Sequence, residues 1–261
     1  MAETEIATDI QPASRKASRE TRRVQLIEAT IQVVGQRGYS RTTLTDVARA
    51  AGLSHGLVNF HFDTKEKLFG ETLRYLSDEY ARNWMQALDS AAPDAASQLD
   101  ALIRADFNEV ACAPGRLLAW CAFWGETQGR PLYLQVCAAN DAEYIAQMER
   151  LCATLVKGGG YAMDPIRVAR ALRVTAEGVW LDMMTEVSPY GPDEALATVH
   201  AMAAAFFPRH FSSDGLVAPL WAISPGTPAA PAEPATARSG NTGFQTPRPA
   251  GKTTGAAGRA E

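Results

Sequence analysis

The chain has 261 residues, 46% of them hydrophobic and 21% charged, with a formal net charge of −4. That suffices for one large domain or two small ones with an apolar core, and it excludes collagen, coiled-coil and disulfide-rich scaffolds. No window approaches the roughly 18 uninterrupted apolar residues of a membrane span, and the N-terminal MAETEIATDIQPASRKASRE has no apolar h-region, so no secretory signal is expected. Cys112, Cys121, Cys137 and Cys152 form no C-x-x-C pair. They read as reduced thiols in a cytoplasmic protein, with neither a zinc site nor a redox dithiol.

The small net charge conceals an asymmetry. Residues 14–73 carry ten Lys and Arg against six Asp and Glu, a balance of +4, which leaves −8 for the remainder. A basic head on an acidic body fits a nucleic-acid module joined to a different domain, although scattered charge would look much the same.

Residues 1–17 are polar and turn basic near their end, and they read as a flexible arm. From Ser18 to Arg37 the positions Ile27, Thr30, Ile31 and Val34 fall at helical spacing, and Gly38 reads as a left-handed stop. Thr43 stands three residues before Asp46, the spacing of a capping box, and opens a short helix through Ala51. Gly52-Leu53-Ser54 breaks it, and Ser54 can cap a third helix through about His61. Asp63 with Glu66 repeats the cap spacing ahead of a fourth, which runs to about Ala91. Beyond Pro93 the pattern stays helical, over about 95–111, 115–127, 131–156, 165–186 and 192–207, with Pro165 and Pro192 in tolerated first-turn positions. Gly158–Gly160 follows a helix and lacks the Lys and Ser/Thr of a phosphate loop, so it reads as a connector. From Ser212 to Glu261 half the residues are Ala, Pro or Gly, a composition too poor in buryable side chains to order itself. Within that expected disordered tail, LVAPLWAI at 216–223 is the one apolar patch.

The segment TLTDVARAAGLSHGLVNFHFDTK, from Thr43 to Lys65, is the most informative in the chain. Val47, Ala48 and Ala51 can face Leu53, Val58 and Phe62, giving two short helices locked through small residues and a glycine turn. This is a helix-turn-helix, whose second helix can enter a major groove. A purely structural helical hairpin would share that apolar skeleton. Three features favour DNA. The exposed positions of the second helix are His55, Gly56, Asn59, Phe60 and His61 rather than a Glu/Lys mix. Helix starts at Thr43, Ser54 and Thr64 offer N–H groups to phosphates. Basic residues flank the unit on both sides.

These residues, Arg23 through Gly38, Thr43-x-x-x-Val47-Ala48-x-x-Ala51-Gly52-Leu53-Ser54-x-Gly56, and Phe62-x-x-Lys65-Glu66-x-Leu68, resemble the DNA-binding domain of the TetR family of bacterial repressors. Asn59 and Phe60 depart from that family, which often has Tyr and His there. The resemblance implies that His55, Gly56, Leu57 and Asn59 approach base edges. There Asn59 could pair with adenine and His55 with guanine, each worth about 1–3 kcal/mol of discrimination. It also implies that Thr43, Ser54, His61 and Lys65 hold phosphates, while Arg15–Arg23 add salt-sensitive affinity. Phe60 is expected to pack against the first helix.

In the larger part, Trp120, Phe123 and Trp124 share one helical face, and Trp180 lies one turn beyond Glu177. An aromatic stripe of this kind equally serves as plain core. Aromatics beside carboxylates also bind quaternary ammonium groups by cation–π attraction. Asp106-Phe107-Asn108-Glu109, Trp120-x-x-Phe123-Trp124, Pro131-Leu132-Tyr133 and Gly178-Val179-Trp180-Leu181 resemble the BetI-like, choline-responsive branch of the same family. That resemblance implies a pocket of Phe107, Glu109, Trp120, Phe123, Trp124 and Trp180. Glu109 would be the counter-charge to a small cation such as choline, with Asp106 and Glu177 behind it.

Two further stripes, Ala169, Leu172, Ala176, Val179 and Met183, and Leu196, Val199, Met202, Ala203 and Phe206, suit either an intrachain core or an isologous four-helix dimer contact. A homodimer is favoured, because one three-helix head spans too little DNA to be selective. No H-E-x-x-H, G-x-S-x-G, Walker loop or dinucleotide fingerprint occurs, and no general base stands out among the four histidines. The expected protein is therefore all-α and not an enzyme, with no cofactor and no metal. It has a flexible arm at 1–17, a helix-turn-helix head at 18–73, a ligand-binding and dimerisation domain at 74–211, and a tail at 212–261. Its expected partners are a palindromic double-stranded DNA operator, a small-molecule effector and a second copy, with no membrane. The alternatives are the same fold sensing a hydrophobic drug or acyl metabolite to control efflux or catabolism, and an architectural DNA-binding protein without a ligand.

Overall fold

A computed structural model of the chain describes residues 11–125 and 130–217. Nine α-helices account for nearly all of them: α1 Gln11–Arg37, α2 Leu44–Ala51, α3 His55–Phe62, α4 Lys65–Ser90, α5 Ala95–Ala105, α6 Pro114–Trp124, α7 Arg130–Gly159, α8 Pro165–Thr185 and α9 Pro192–Phe206. A two-residue-per-strand hairpin follows, β1 Phe211–Ser212 against β2 Gly215–Leu216, antiparallel with Phe211 opposite Leu216.

The helix boundaries follow from local chemistry. Gly38 ends α1 at φ +80°, its N–H donating to the Val34 carbonyl at 2.8 Å. Thr43 and Asp46 form the full reciprocal capping box on α2, and Gly52 closes that helix at φ +65°. Ser54 caps α3 by accepting from the Leu57 N–H. Thr64, rather than Asp63, caps α4, accepting from Lys67 N–H, while Asp63 takes the positive φ of +53° that the tight α3–α4 turn imposes. Asp164 caps α8 just ahead of Pro165.

Two expectations are corrected here. Helix α1 begins at Gln11, so residues 11–17 are helical backbone and not part of a loose arm, since nothing between Ala13 and Val34 breaks a helix. At the other end, 212–217 are ordered. The hairpin packs on α9 and α5, with Phe211 buried and Gly215 at φ +110° close under the Arg104 guanidinium. The rest of the expected tail, and residues 1–10 of the expected arm, lie outside the described residues.

Two apolar clusters organise the molecule. The first joins α1–α3 and the start of α4 through Leu26, Ile31, Val34, Val47, Val58, Phe62, Leu68 and Phe69, and it extends into Ala119 and Phe123 of α6 and Cys137 of α7. The second fills the larger bundle with Trp84, Leu99, Tyr144, Leu151, Leu172, Val179, Val199, Phe207 and Phe211. Helix α1 packs more extensively on α6 than on either helix of the hairpin it supports. The three-helix head is thus anchored on the helix that carries Trp120 and Trp124. Among the described residues no helix is long and apolar enough to cross a membrane.

Candidate DNA-reading helix and ligand cavity

The head presents α3 outward. Val58, His61 and Phe62 face its core, leaving His55, Gly56, Asn59 and Phe60 exposed and Leu57 half-buried. The scaffold behind is fastened by polar links: Gln25 donates to the Ala51 carbonyl at 2.7 Å, Arg23 pairs with Glu71 at 2.6 Å, and Arg37 pairs with Asp46 at 3.0 Å. His55 Nδ1 lies 3.4 Å from the Thr45 hydroxyl.

The expected phosphate set is placed unevenly. Thr43 and Ser54 are exposed at their helix starts, both engaged as caps. Lys65 is half-buried, its ammonium donating to the Ser40 carbonyl at 3.2 Å and standing over the Tyr39 and Phe69 rings. His61, expected on the exposed face, is buried instead; burial first, then the nearby Arg19 and Arg23 charges, hold its pKa below the usual imidazole value. Phe60, expected to pack on the first helix, is 64% exposed, with the His61 ring edge-on at 5.2 Å and the Arg19 guanidinium over its ring at 5.5 Å to the centroid.

In the body a cavity of about 750 Å³ opens between α4, α6, α7 and α8. Trp120, Trp124 and Trp180 form one wall, with Trp124 stacked against Trp120 at 5.8 Å and against Trp180 at 6.2 Å between centroids. At its base lies Asp106, 3% exposed. Each carboxylate oxygen of Asp106 accepts a tyrosine hydroxyl, from Tyr80 at 2.7 Å and from Tyr144 at 2.8 Å, and its carbonyl accepts from Trp180 Nε1 at 2.8 Å. Burial raises the Asp106 pKa to about 7 although both tyrosine bonds favour the anion, and the Glu177 charge adds to the rise. Nearer the opening, Asp141 accepts from Tyr133 at 3.0 Å and Arg173 pairs with Glu177.

Local sequence explains why Asp106 is there. Helix α5 stops at Ala105, not near 111 as its pattern suggested, because Asn108 folds the chain over. Its side-chain oxygen accepts from the Val110 and Ala111 N–H groups, and its amide donates to Asn83 on α4 at 2.6 Å. The turn drives Asp106 inward and leaves Glu109 exposed, so Glu109, the expected counter-charge, does not line the cavity. Phe123 is likewise absent from the lining; it is buried against Tyr39 and Phe69 in the head's core. Phe107 is absent from the lining, its ring tilted against that of Trp180 with centroids 6.3 Å apart. Of the six residues expected in the pocket, Trp120, Trp124 and Trp180 line the cavity. Tyr80, Tyr144, Tyr133 and Asp141 were not anticipated: Tyr80 and Tyr144 are 26 and 38 residues from Asp106, so only packing brings them to it.

The stripes assigned to a dimer contact are mostly core within one chain. Leu172, Ala176, Val179 and Val199 are buried, and Met183, Leu196, Met202 and Phe206 are half-buried against the same cluster. The exposed large apolar side chains of α8 are Ile166, Val174 and Leu181, on a different face, and Val174 and Leu181 line the cavity.

Between head and cavity, Arg116 at the start of α6 makes paired bonds to two carboxylates: to Glu28 of α1 at 2.7 and 2.9 Å, and to Glu79 of α4 at 3.0 Å twice. Burial pushes the Glu28 carboxyl up, but the Arg116 bonds and charge outweigh it and hold the pKa below its ordinary value. Tyr80, next to Glu79, and Trp120, one turn beyond Arg116, both line the cavity. Among the described residues no group of three or more His, Cys, Asp or Glu is gathered as a metal ion would need.

Two family descriptions match this architecture in order: "Bacterial regulatory proteins, tetR family" over residues 26–72, and "BetI-type transcriptional repressor, C-terminal" over 95–208. The HTH-type transcriptional regulator BetI of Paraburkholderia xenovorans is 30% identical over 182 residues, covering 70% of this chain and 91% of that protein. The chain belongs to the TetR family, BetI type. The BetI regulator of Burkholderia thailandensis is 32% identical, covering 68% of this chain and 89% of its own. A crystal structure of a transcriptional regulator from Pseudomonas aeruginosa PAO1 superimposes with a TM-score of 0.62 at 27% identity, over 72% of this chain and 91% of that one. A Saccharomonospora viridis regulator solved in complex with choline gives a TM-score of 0.62 at 18% identity, over 74% and 98%, which is a likeness of fold. This TetR-family member is thus a helix-turn-helix transcriptional regulator and not an enzyme.

Proposed function

We propose that the protein is a dimeric repressor, acting in the cytoplasm on a palindromic operator and released from it by a small organic cation, choline or a related quaternary ammonium compound. The observation that supports this best is Asp106, a fully buried carboxylate at the foot of a tryptophan- and tyrosine-walled cavity. A buried charge is costly unless paired. A cation seated against the indoles would supply the missing positive charge, by cation–π attraction and by Coulomb attraction to Asp106. The choline complex of the Saccharomonospora viridis regulator, which shares the fold, is consistent with this assignment.

In the head, His55, Gly56, Leu57 and Asn59 are the proposed base-reading set, with Thr43, Ser54 and Lys65 at the phosphates. The dimer contact is proposed on the exposed face of α8, where Ile166, Val174 and Leu181 stand at helical intervals, Val174 and Leu181 also lining the cavity. The ligand would favour a state with a different spacing of the two heads, and bound DNA would reciprocally disfavour the ligand. The genes under control are proposed to be those of choline and glycine betaine metabolism.

A second reading rests on the size of the cavity. A volume of about 750 Å³ is of the order that holds a drug-sized molecule, which suits a hydrophobic drug or acyl metabolite and control of efflux or catabolism. Titrating tryptophan fluorescence with choline, glycine betaine and a hydrophobic amine separates the two. A saturable, choline-selective change that is lost in Asp106→Asn supports the cation site. A response to the hydrophobic amine alone moves the ligand to the second reading.

A further inference from the structure

We infer that Phe60 is a specificity-determining residue of the DNA head, reading a thymine by apolar contact with its C5-methyl group. The inference rests on α3 being the reading helix and adds a residue to its proposed base-contact set. Phe60 is 64% exposed, on a helix whose Val58 and Phe62 are buried. It is too large to be left in water without cost, since a fully buried Phe side chain recovers about 1.5–3 kcal/mol relative to an exposed one. The protein's own packing, an edge-on contact with the His61 ring at 5.2 Å, leaves most of that surface in water. Its neighbour on the exposed face is the Arg19 guanidinium, which stands over the ring and brings positive charge to the side from which a phosphate backbone would approach.

Gly56 supplies the second, independent observation. It lies one helical turn before Phe60 on the same outward stripe, in ordinary helical backbone, and a Cβ placed there would meet no protein atom within 4 Å. In the first turn of a helix glycine offers no stability over alanine, and a Cβ at this position would have open space. The combination is a helix shaved bare at one turn and carrying a protruding aromatic ring at the next. This suits close approach to a surface that is itself uneven, and Asn59 and His55 flank the pair with polar groups. Within a major groove the apolar protrusion is the thymine methyl, and phenylalanine is among the side chains suited to meet it.

The test begins with a binding site selected in vitro from random duplexes by the full-length protein. Each thymine of that site is then replaced by deoxyuridine, which removes only the methyl group. Wild-type protein is expected to lose about fourfold in affinity at one thymine per half-site, the value of one buried methyl. Phe60→Ala is expected to bind the thymine and uracil sites equally, and Phe60→Leu to retain part of the preference. Because the ring is exposed, both variants should melt as the wild type does. Gly56→Ala should melt at or above the wild type yet bind the selected site more weakly. A selected site at which no thymine is sensitive to methyl removal, or one whose sensitivity persists in Phe60→Ala, overturns the role of Phe60 while leaving α3 as the reader. Failure of the protein to select any sequence overturns both.

Discussion

Asp106→Asn isolates the energetics on which the cation site depends. The folded protein raises the Asp106 pKa from an ordinary 3.8 to about 7, burial being the largest cause. A tenfold change in proton affinity is worth about 1.36 kcal/mol, so ionising this carboxylate inside the empty cavity costs about 4 kcal/mol of folding free energy. The unfolded chain releases the proton near pH 4 and the folded chain only near 7. The contribution to stability is therefore present below about pH 4 and is lost as pH rises to 7, with about 3 kcal/mol of it falling between pH 5 and 8. Asparagine has nearly the same shape and cannot ionise. Its side-chain oxygen can accept from one tyrosine and its amide can donate to the other, so the change of hydrogen bonds itself costs on the order of 1 kcal/mol. The assay is urea unfolding followed by far-UV circular dichroism, for wild type and variant, at pH 5 and pH 8. The stability of the variant relative to wild type should increase by about 3 kcal/mol over that range, at unchanged urea dependence. Saturating choline, added at pH 8, should recover much of the wild-type deficit and leave the variant unaffected. Parallel pH profiles for the two proteins would refute the claim that Asp106 is a buried, uncompensated charge.

The same ionisation should govern the ligand. Calorimetric titration with choline is expected to give a dissociation constant about tenfold weaker at pH 6 than at pH 8, since a pKa near 7 leaves Asp106 mostly protonated at the lower value; an affinity independent of pH would remove Asp106 as the counter-charge. Arg116→Ala leaves Glu28 and Glu79 facing one another without their shared cation. With the three side chains between 21% and 32% exposed, it should cost about 2 kcal/mol and lower the melting temperature by roughly 4–8 °C, and Arg116→Lys should restore part of the loss. An unchanged melting temperature would show that the clamp contributes nothing. Val174→Glu with Leu181→Glu should yield a folded monomer by sedimentation velocity, because both side chains are exposed, whereas Leu172→Glu should unfold the chain. A double variant that remains dimeric would place the interface elsewhere.

The elements whose cause is local were legible in the sequence. The Thr43–Asp46 box, the Gly52 turn, the Ser54 cap and the alternation of Val47, Val58 and Phe62 specify the head within 25 residues, since each contact joins neighbours or near neighbours. The helical periods of α7 to α9 and the punctuation by Pro165 and Pro192 were readable for the same reason. The periodicity of Trp120, Phe123 and Trp124 suited plain core equally well, and it was the resemblance to the BetI-like branch that implied a pocket there.

Direction was not legible. A helical stripe tells which residues share a face, but not which neighbour that face meets. Phe123 shares a face with Trp120 and Trp124 yet turns into the head's core, and Leu172 and Val199 serve their own chain rather than a second copy. His61 and Phe60 exchange their expected places for the same reason: on an eight-residue helix a rotation of one position swaps buried for exposed. Asp106 and Glu109, three residues apart on a turn set by Asn108, could not be ranked by sequence, because a carboxylate's role depends on burial and partners. Only the convergence of α4, α7 and α8 on the end of α5 supplies Tyr80, Tyr144 and Trp180 to Asp106, and those contacts span 26, 38 and 74 residues. Local chemistry fixed the helices and the shape of the head; the long-range packing of those helices decided which acid lies in the cavity and which aromatic faces out from α3.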